Sequence, residues 1–114
     1  MNNTIKVRIA GEIKVETTTT GKDVASFRVA ENKYFFNKKL GRKQKVTTFY
    51  TAKVWNGMAK SVEKNLRVGD LVKLKVNVKP NSWITKEGGE LKEELVLTVQ
   101  KYKFIRESRK AVNN

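Results

Sequence analysis

The stretch 46–66, Val46-Thr47-Thr48-Phe49-Tyr50-Thr51-Ala52-Lys53-Val54-Trp55-Asn56-Gly57-Met58-Ala59-Lys60-Ser61-Val62-Glu63-Lys64-Asn65-Leu66, changes period halfway along. Up to Trp55 the residues alternate, the period of two that marks a strand. Val46, Tyr50, Ala52 and Val54 form one face, and Thr47, Phe49, Thr51, Lys53 and Trp55 form the other. Past Asn56-Gly57, Met58, Val62 and Leu66 recur every four residues with Lys60, Glu63 and Lys64 between them, the pattern of a short amphipathic helix. The first strand face is mostly apolar and belongs to a core. The second mixes aromatic, hydroxyl and cationic groups, would make a poor core, and so leaves Phe49 and Trp55 partly exposed.

Upstream, Ile5, Val7, Ile9, Ile13 and Val15 fall on odd positions with Lys6, Arg8, Glu12 and Lys14 between them. Gly11 interrupts this strand where one curling round a small barrel would bend. A turn over 17–23 leads to a second strand over 24–32, with Ala25, Phe27 and Val29 on one face. The polar segment 37–45, carrying Gly41, reads as a long hairpin loop. Downstream of the helix, Val72, Leu74, Val76 and Val78 alternate with Lys73, Lys75, Asn77 and Lys79 in a fourth strand ended by Pro80. Glu87-Gly88-Gly89-Glu90 reads as a hairpin tip before a fifth strand over 91–104, with Leu95, Leu97 and Val99 inward. Phe27 and Phe104 are assigned to the core. Three strands, a helix and two strands predict an all-β OB-fold, a five-stranded Greek-key β-barrel with one short helix between strands 3 and 4. It occupies residues 1–105; the remainder, 106–114, has no period and reads as a short basic disordered tail.

The chain has 114 residues, 25 Lys and Arg against 11 Asp and Glu, a formal charge of +14, and neither Cys nor His. A domain of this size buries enough surface to fold without staples. Lacking thiol and imidazole, it has no means of building the usual zinc sites, a Cys nucleophile or a Ser-His-Asp relay, and its acids are scattered singly among bases, so we expect no enzyme and no cofactor. No apolar run exceeds three residues, which excludes a membrane span and a signal-peptide core and predicts a cytoplasmic protein. The charge excess attracts polyanions, nucleic acid first among them. It is concentrated in 33–46, which holds six bases and no acid, and in 101–110, which holds five bases and one acid. Lys outnumbers Arg by 19 to 6, favouring diffuse backbone contact over bidentate reading of base edges.

Aromatics interleave with these bases. Phe49 and Trp55 share a face with Lys53, Tyr34-Phe35-Phe36 leads into the most basic segment, and Trp83 follows the lysine-lined fourth strand. A binder indifferent to sequence needs flat rings on which unpaired bases stack and cations that follow the phosphates. Alternation sends at most one parity of Tyr34, Phe35 and Phe36 inward, so at least one of them is exposed. Trp83 reads equally as a loop anchor, and Tyr50 as structural or as part of a subunit contact. The candidate backbone contacts are Lys33, Lys38, Lys39, Lys43, Lys53, Lys73 and Lys75.

At this point the chain resembles the bacterial-type single-stranded DNA-binding protein (SSB) family over residues 3 to 105. Asn3-Thr4-Ile5-Lys6-Val7-Arg8-Ile9-Ala10-Gly11 is similar to the family's opening strand, and Gly21-Lys22-Asp23-Val24-Ala25-Ser26-Phe27-Arg28-Val29-Ala30 to its "G-x-x-V-A-x-F-x-x-A" segment. Residues 47–56 resemble "T-x-W-H-x-V-x-x-F/W-G/N", residues 66–77 the "L-x-K-G-x-x-V-x-V-x-G" element, and Asn81-Ser82-Trp83 its "x-x-W". The resemblance implies that bases stack on Phe49, Trp55 and Trp83, and on Phe35 by an ungapped count from Ala30, with Tyr34 and Phe36 as neighbours of that position. It also implies assembly into a homo-oligomer, tetramer or dimer, although Tyr50 replaces the family histidine in a region that contributes to subunit contacts.

The family's acidic tail tip has no counterpart in the basic end of this chain. We therefore expect a tail-less member of plasmid, phage or mobile-element type, without protein recruitment through such a tip. The expected function is sequence-independent binding of single-stranded DNA in replication, recombination or strand transfer. The alternatives are a primosomal adaptor resembling PriB and an RNA-binding OB domain, with RNA as the partner in the second case.

Overall fold

The computed structural model describes residues 2–107, in the order β1 (Asn2–Ile9), β2 (Lys14–Thr17), β3 (Asp23–Asn37), β4 (Arg42–Trp55), α1 (Gly57–Asn65), β5 (Leu71–Ile84) and β6 (Leu91–Arg106). All six strands form one sheet in the order β1-β5-β6-β4-β3-β2, and a further pairing of β1 with β3 closes it into a barrel. Every pairing is antiparallel except that of β4 with β6, where Thr51, Ala52 and Lys53 run parallel to Val96, Leu97 and Thr98.

The strand count differs from expectation because the bent opening strand is broken rather than continuous. Its first part pairs with β3 at Arg8–Ala30 and Ile9–Val29, and its second at Lys14–Ser26 through Thr17–Asp23. Between them the chain leaves regular strand geometry at Gly11, where an added Cβ would sit 3.4 Å from the Cβ of Arg28. The helix therefore lies between the fourth and fifth strands, although its place in the barrel is the one expected. Most of the tail expected at 106–114 lies outside the described residues; Arg106 closes β6.

Inward positions follow the alternation. Val7, Ile9, Ala25, Phe27, Val29, Ala52, Val54, Val72, Leu74, Val76, Leu97 and Val99 are buried, and Ala59, Val62 and Leu66 bring α1 into the same core. The helix packs on β2, β3 and β4. After it, the buried Asp70 accepts the N–H of Arg67 at 2.8 Å, and Ile9 accepts the N–H of Gly69 at 2.7 Å, tying the turn to β1. Tyr102 meets Ser61 in a hydroxyl–hydroxyl bond that holds the helix against β6.

Two hairpins extend well past the barrel, and here the sequence expectation fails. Segment 37–45 is no long loop: Asn37 pairs with Arg42 and Phe36 with Lys43, leaving only a tight turn over 38–41. Asn37 builds that turn, its side-chain oxygen accepting the N–H groups of Lys39 and Leu40 at 3.0 and 3.2 Å, while Gly41 takes the left-handed conformation at φ 65°. The segment is polar because both faces of this ribbon meet water, not because it lacks strand structure. Nor does Pro80 end β5, which runs on to Ile84 against Leu91. Pairing with β1 stops at Asn77, so Pro80 lies where β5 has a free edge and its missing N–H costs no ladder bond. Leu95 and Phe104, read as inward, are exposed, Leu95 because it lies on this ribbon and Phe104 because β6 beyond Thr98 has no pairing with β4.

Candidate nucleic-acid interface

On β3 the buried residues are odd-numbered and on β4 even-numbered, so the outward face combines even positions of β3 with odd positions of β4. Cross-strand pairs then place Val24 beside Trp55, Ser26 beside Lys53, Arg28 beside Thr51, Ala30 beside Phe49, Asn32 beside Thr47, Tyr34 beside Lys45 and Phe36 beside Lys43. Trp55, Phe49, Tyr34 and Phe36 thus share one face, 37, 54, 65 and 61% exposed, with Lys53, Lys45 and Lys43 set between them. Rings interleaved with ammonium groups at strand spacing are the elements of a platform on which bases stack while phosphates are neutralised alongside.

The face is held in place by its own side chains. The Arg28 guanidinium lies 5.8 Å from the centroid of the Phe49 ring, within cation–π range, and donates to the Thr51 hydroxyl at 3.5 Å. Thr51 in turn donates to Glu94 at 3.5 Å, linking the face to β6, and Thr47 donates to Asn32 at 2.7 Å. Arg28 and Lys45 were not singled out from the sequence. Parity contained the signal for both: Arg28 lies between the inward Phe27 and Val29, and Lys45 shares the parity of Phe49.

The structure separates the remaining candidates. Phe35, 47% exposed, pairs with Gln44 and lies on the opposite face of the ribbon from Tyr34 and Phe36. Lys33 also has the inward parity and stands 3.9 Å from Glu31. Lys38 and Lys39 occupy the ribbon's turn. Trp83, 44% exposed, lies on the second ribbon beside Lys92, on the outward parity of β5. Lys73 and Lys75 share that parity but lie at the other end of β5, between β1 and the last part of β6.

Tyr50 sits on the inward face beside this site and donates to Glu31 at 3.3 Å. Burial pushes its hydroxyl above the ordinary value of 10.0, and the Glu31 carboxylate adds to the rise through its charge and the hydrogen bond. A phenol that holds its proton more tightly when folded stabilises the fold below pH ~10, and that contribution is lost as the pH climbs through the raised value. We expect the thermal midpoint of Tyr50→Phe to fall less than that of the parent between pH ~10 and pH ~11.5; parallel curves would contradict this assignment.

Among the described residues there is no cluster of Cys, His, Asp or Glu suited to a metal ion, and no helix long and apolar enough to cross a membrane. A family model described as the single-strand binding protein family matches residues 2–105. No curated protein matches the chain by sequence. Among solved structures, the small single-stranded DNA-binding protein of Streptomyces coelicolor is similar with a TM-score of 0.76 at 15% identity, covering 92% of this chain and 94% of its own. A Plasmodium falciparum SSB in complex with single-stranded DNA gives 0.82 at 17% identity, with the same coverages. The single-stranded DNA-binding protein of Thermus aquaticus gives 0.75 at 15% identity, with 93% of this chain matched to 51% of that one. These likenesses establish the OB-type barrel.

Proposed function

The chain belongs to the single-strand binding protein family, and we propose that it coats single-stranded DNA without regard to sequence, by stacking bases on the outward face of β3 and β4. The observation that carries this reading is the face itself: four exposed rings, Tyr34, Phe36, Phe49 and Trp55, with Lys43, Lys45 and Lys53 between them on paired strands. None of these rings belongs to the buried core, and a core would not interleave them with ammonium groups. Trp83, exposed beside Lys92 on the second ribbon, offers a base a further ring apart from that face. Lys38 and Lys39 at the tip of the first ribbon meet the backbone as it leaves the face. Protection of exposed strands in replication, recombination and repair follows from this binding. Assembly into a homo-oligomer, tetramer or dimer, belongs to the same proposal and is measured by sedimentation. No observation favours the adaptor or RNA reading.

The two tryptophans give a direct test. Titration with oligo-dT is expected to quench their fluorescence, with an affinity that falls linearly in log–log form as salt rises. Blunt duplex, whose bases are already stacked, is expected to leave the emission unchanged even where it binds. Quenching by duplex equal to that by oligo-dT, or none by either, would overturn the stacking mechanism.

A further inference from the structure

In the closed ring of strands β1-β5-β6-β4-β3, β5 stands opposite the β3–β4 seam that bears the aromatic face. Its outward side carries a second feature made almost wholly of lysine. Lys6 of β1 lies beside Lys73 of β5, and Lys73 beside Lys103 of β6; in the next row Thr4 lies beside Lys75, and Lys75 beside Lys101. All five lysines present their side chains to solvent on this outward face, Lys6, Lys73, Lys75, Lys101 and Lys103 alike. A shallow groove of about 250 Å³ runs among them, lined by Thr4, Lys73, Lys75, Lys101, Tyr102 and Lys103. No acidic residue lines it, and the ion pairs among the described residues, at Lys33, Lys60 and Lys92, lie elsewhere.

Like charges directly opposite on neighbouring strands destabilise a sheet. Two adjoining rows of ammonium groups therefore cost the fold stability that a bound polyanion would return. The groove among Lys73, Lys75, Lys101 and Lys103 offers cations but no free ring: Tyr102 at its margin is engaged with Ser61 on the helix side, and only Lys6, at the β1 edge, borders a cavity shared with Tyr34. Bases would find nothing to stack on here, whereas phosphates would find charge. Duplex DNA carries one charge per ~1.7 Å of axis, more densely than a single strand, and need not unstack to present it.

We propose that this lysine ladder is a second nucleic-acid contact that binds phosphate backbone alone and holds the duplex flanking a single strand carried on the aromatic face. It rests on the strand-binding reading only for that second half. The test uses the full chain and the variant K101Q/K103Q, whose two positions lie outside the strand-binding face. Anisotropy is measured with oligo-dT of about 15 nucleotides, with a blunt duplex of about 20 base pairs, and with that duplex carrying the oligo-dT as an overhang.

The parent is expected to bind the overhang duplex about tenfold tighter than oligo-dT alone, and the variant to lose most of that gain. Its salt slope on duplex should be shallower by up to about 1.8, at roughly 0.9 for each phosphate no longer neutralised, with oligo-dT affinity held within about twofold. Its DNA-free thermal midpoint should rise, because repulsion has been removed. A parent that gains nothing from the duplex arm, a variant that loses oligo-dT and duplex affinity in step, or a variant altered only in sedimenting mass would each overturn the proposal, the last by assigning the face to contacts between copies. Loss of duplex affinity in the variant together with absent tryptophan quenching in the parent would instead remove the stacking reading and leave the ladder in place as a duplex site.

Discussion

Alanine at both Phe49 and Trp55 is expected to weaken oligo-dT binding by roughly 2–6 kcal/mol, at least about thirtyfold in Kd, at ~1–3 kcal/mol per stacked base. The two rings lie on one face of β4, six positions apart, which at about 3.3 Å per residue is ~20 Å of strand. They are too far apart to grip the same base, so the two losses should add. Neither ring fills the barrel, and the double variant should keep the thermal midpoint of the parent apart from what Phe49 gains beneath Arg28. Full affinity in the double variant would leave charge as the whole of binding. The same assay ranks the first ribbon: Tyr34→Ala should cost more than Phe35→Ala, because only Tyr34 shares the face of Phe49.

The largest stability effect is expected at Leu97. This side chain is 1% exposed and sits at the parallel seam of the barrel, beside Ala52 of β4 on one flank and Val78 of β5 on the other. Ala52 has no side chain able to expand into the space a truncation would leave. Leu97→Ala should therefore cost about 3 kcal/mol, within the ~2–5 kcal/mol of buried leucine truncations, against a net stability of ~5–15 kcal/mol for a domain. Urea unfolding measures it as a lower midpoint with an unchanged slope. A loss under about 1 kcal/mol would mean that the seam repacks or that the barrel does not close through β4 and β6.

Much of the site was legible because parity is local. The inward set Ala52 and Val54 implies that Phe49, Lys53 and Trp55 face out, and the structure places them so. What alternation does not reveal is where a core ends. Val46, Leu95 and Phe104 continue the inward pattern, yet they are exposed, the first two on ribbons that outrun the barrel and the third where β6 has lost its pairing with β4. The same limit hid the ribbon over 33–46: a strand with water on both faces has no hydrophobic period, and its polar residues resemble a loop. Once the register is known, the choice among Tyr34, Phe35 and Phe36 reduces to which parity faces Phe49.

By itself the sequence determined the strand and helix periods, the inward residues of the barrel and the cationic, aromatic character of the surface, all of which follow from residues within a few positions of one another. Only the tertiary structure decided which charges share a surface. Lys73 and Lys75 read as part of one groove with Lys53, yet strand order carries them to the side of the barrel opposite the β3–β4 seam, into rows with Lys6, Lys101 and Lys103. Those neighbours lie about 30 to 70 positions away in the chain, and only the closure of the sheet, driven by burial of a common core, brings their charges together.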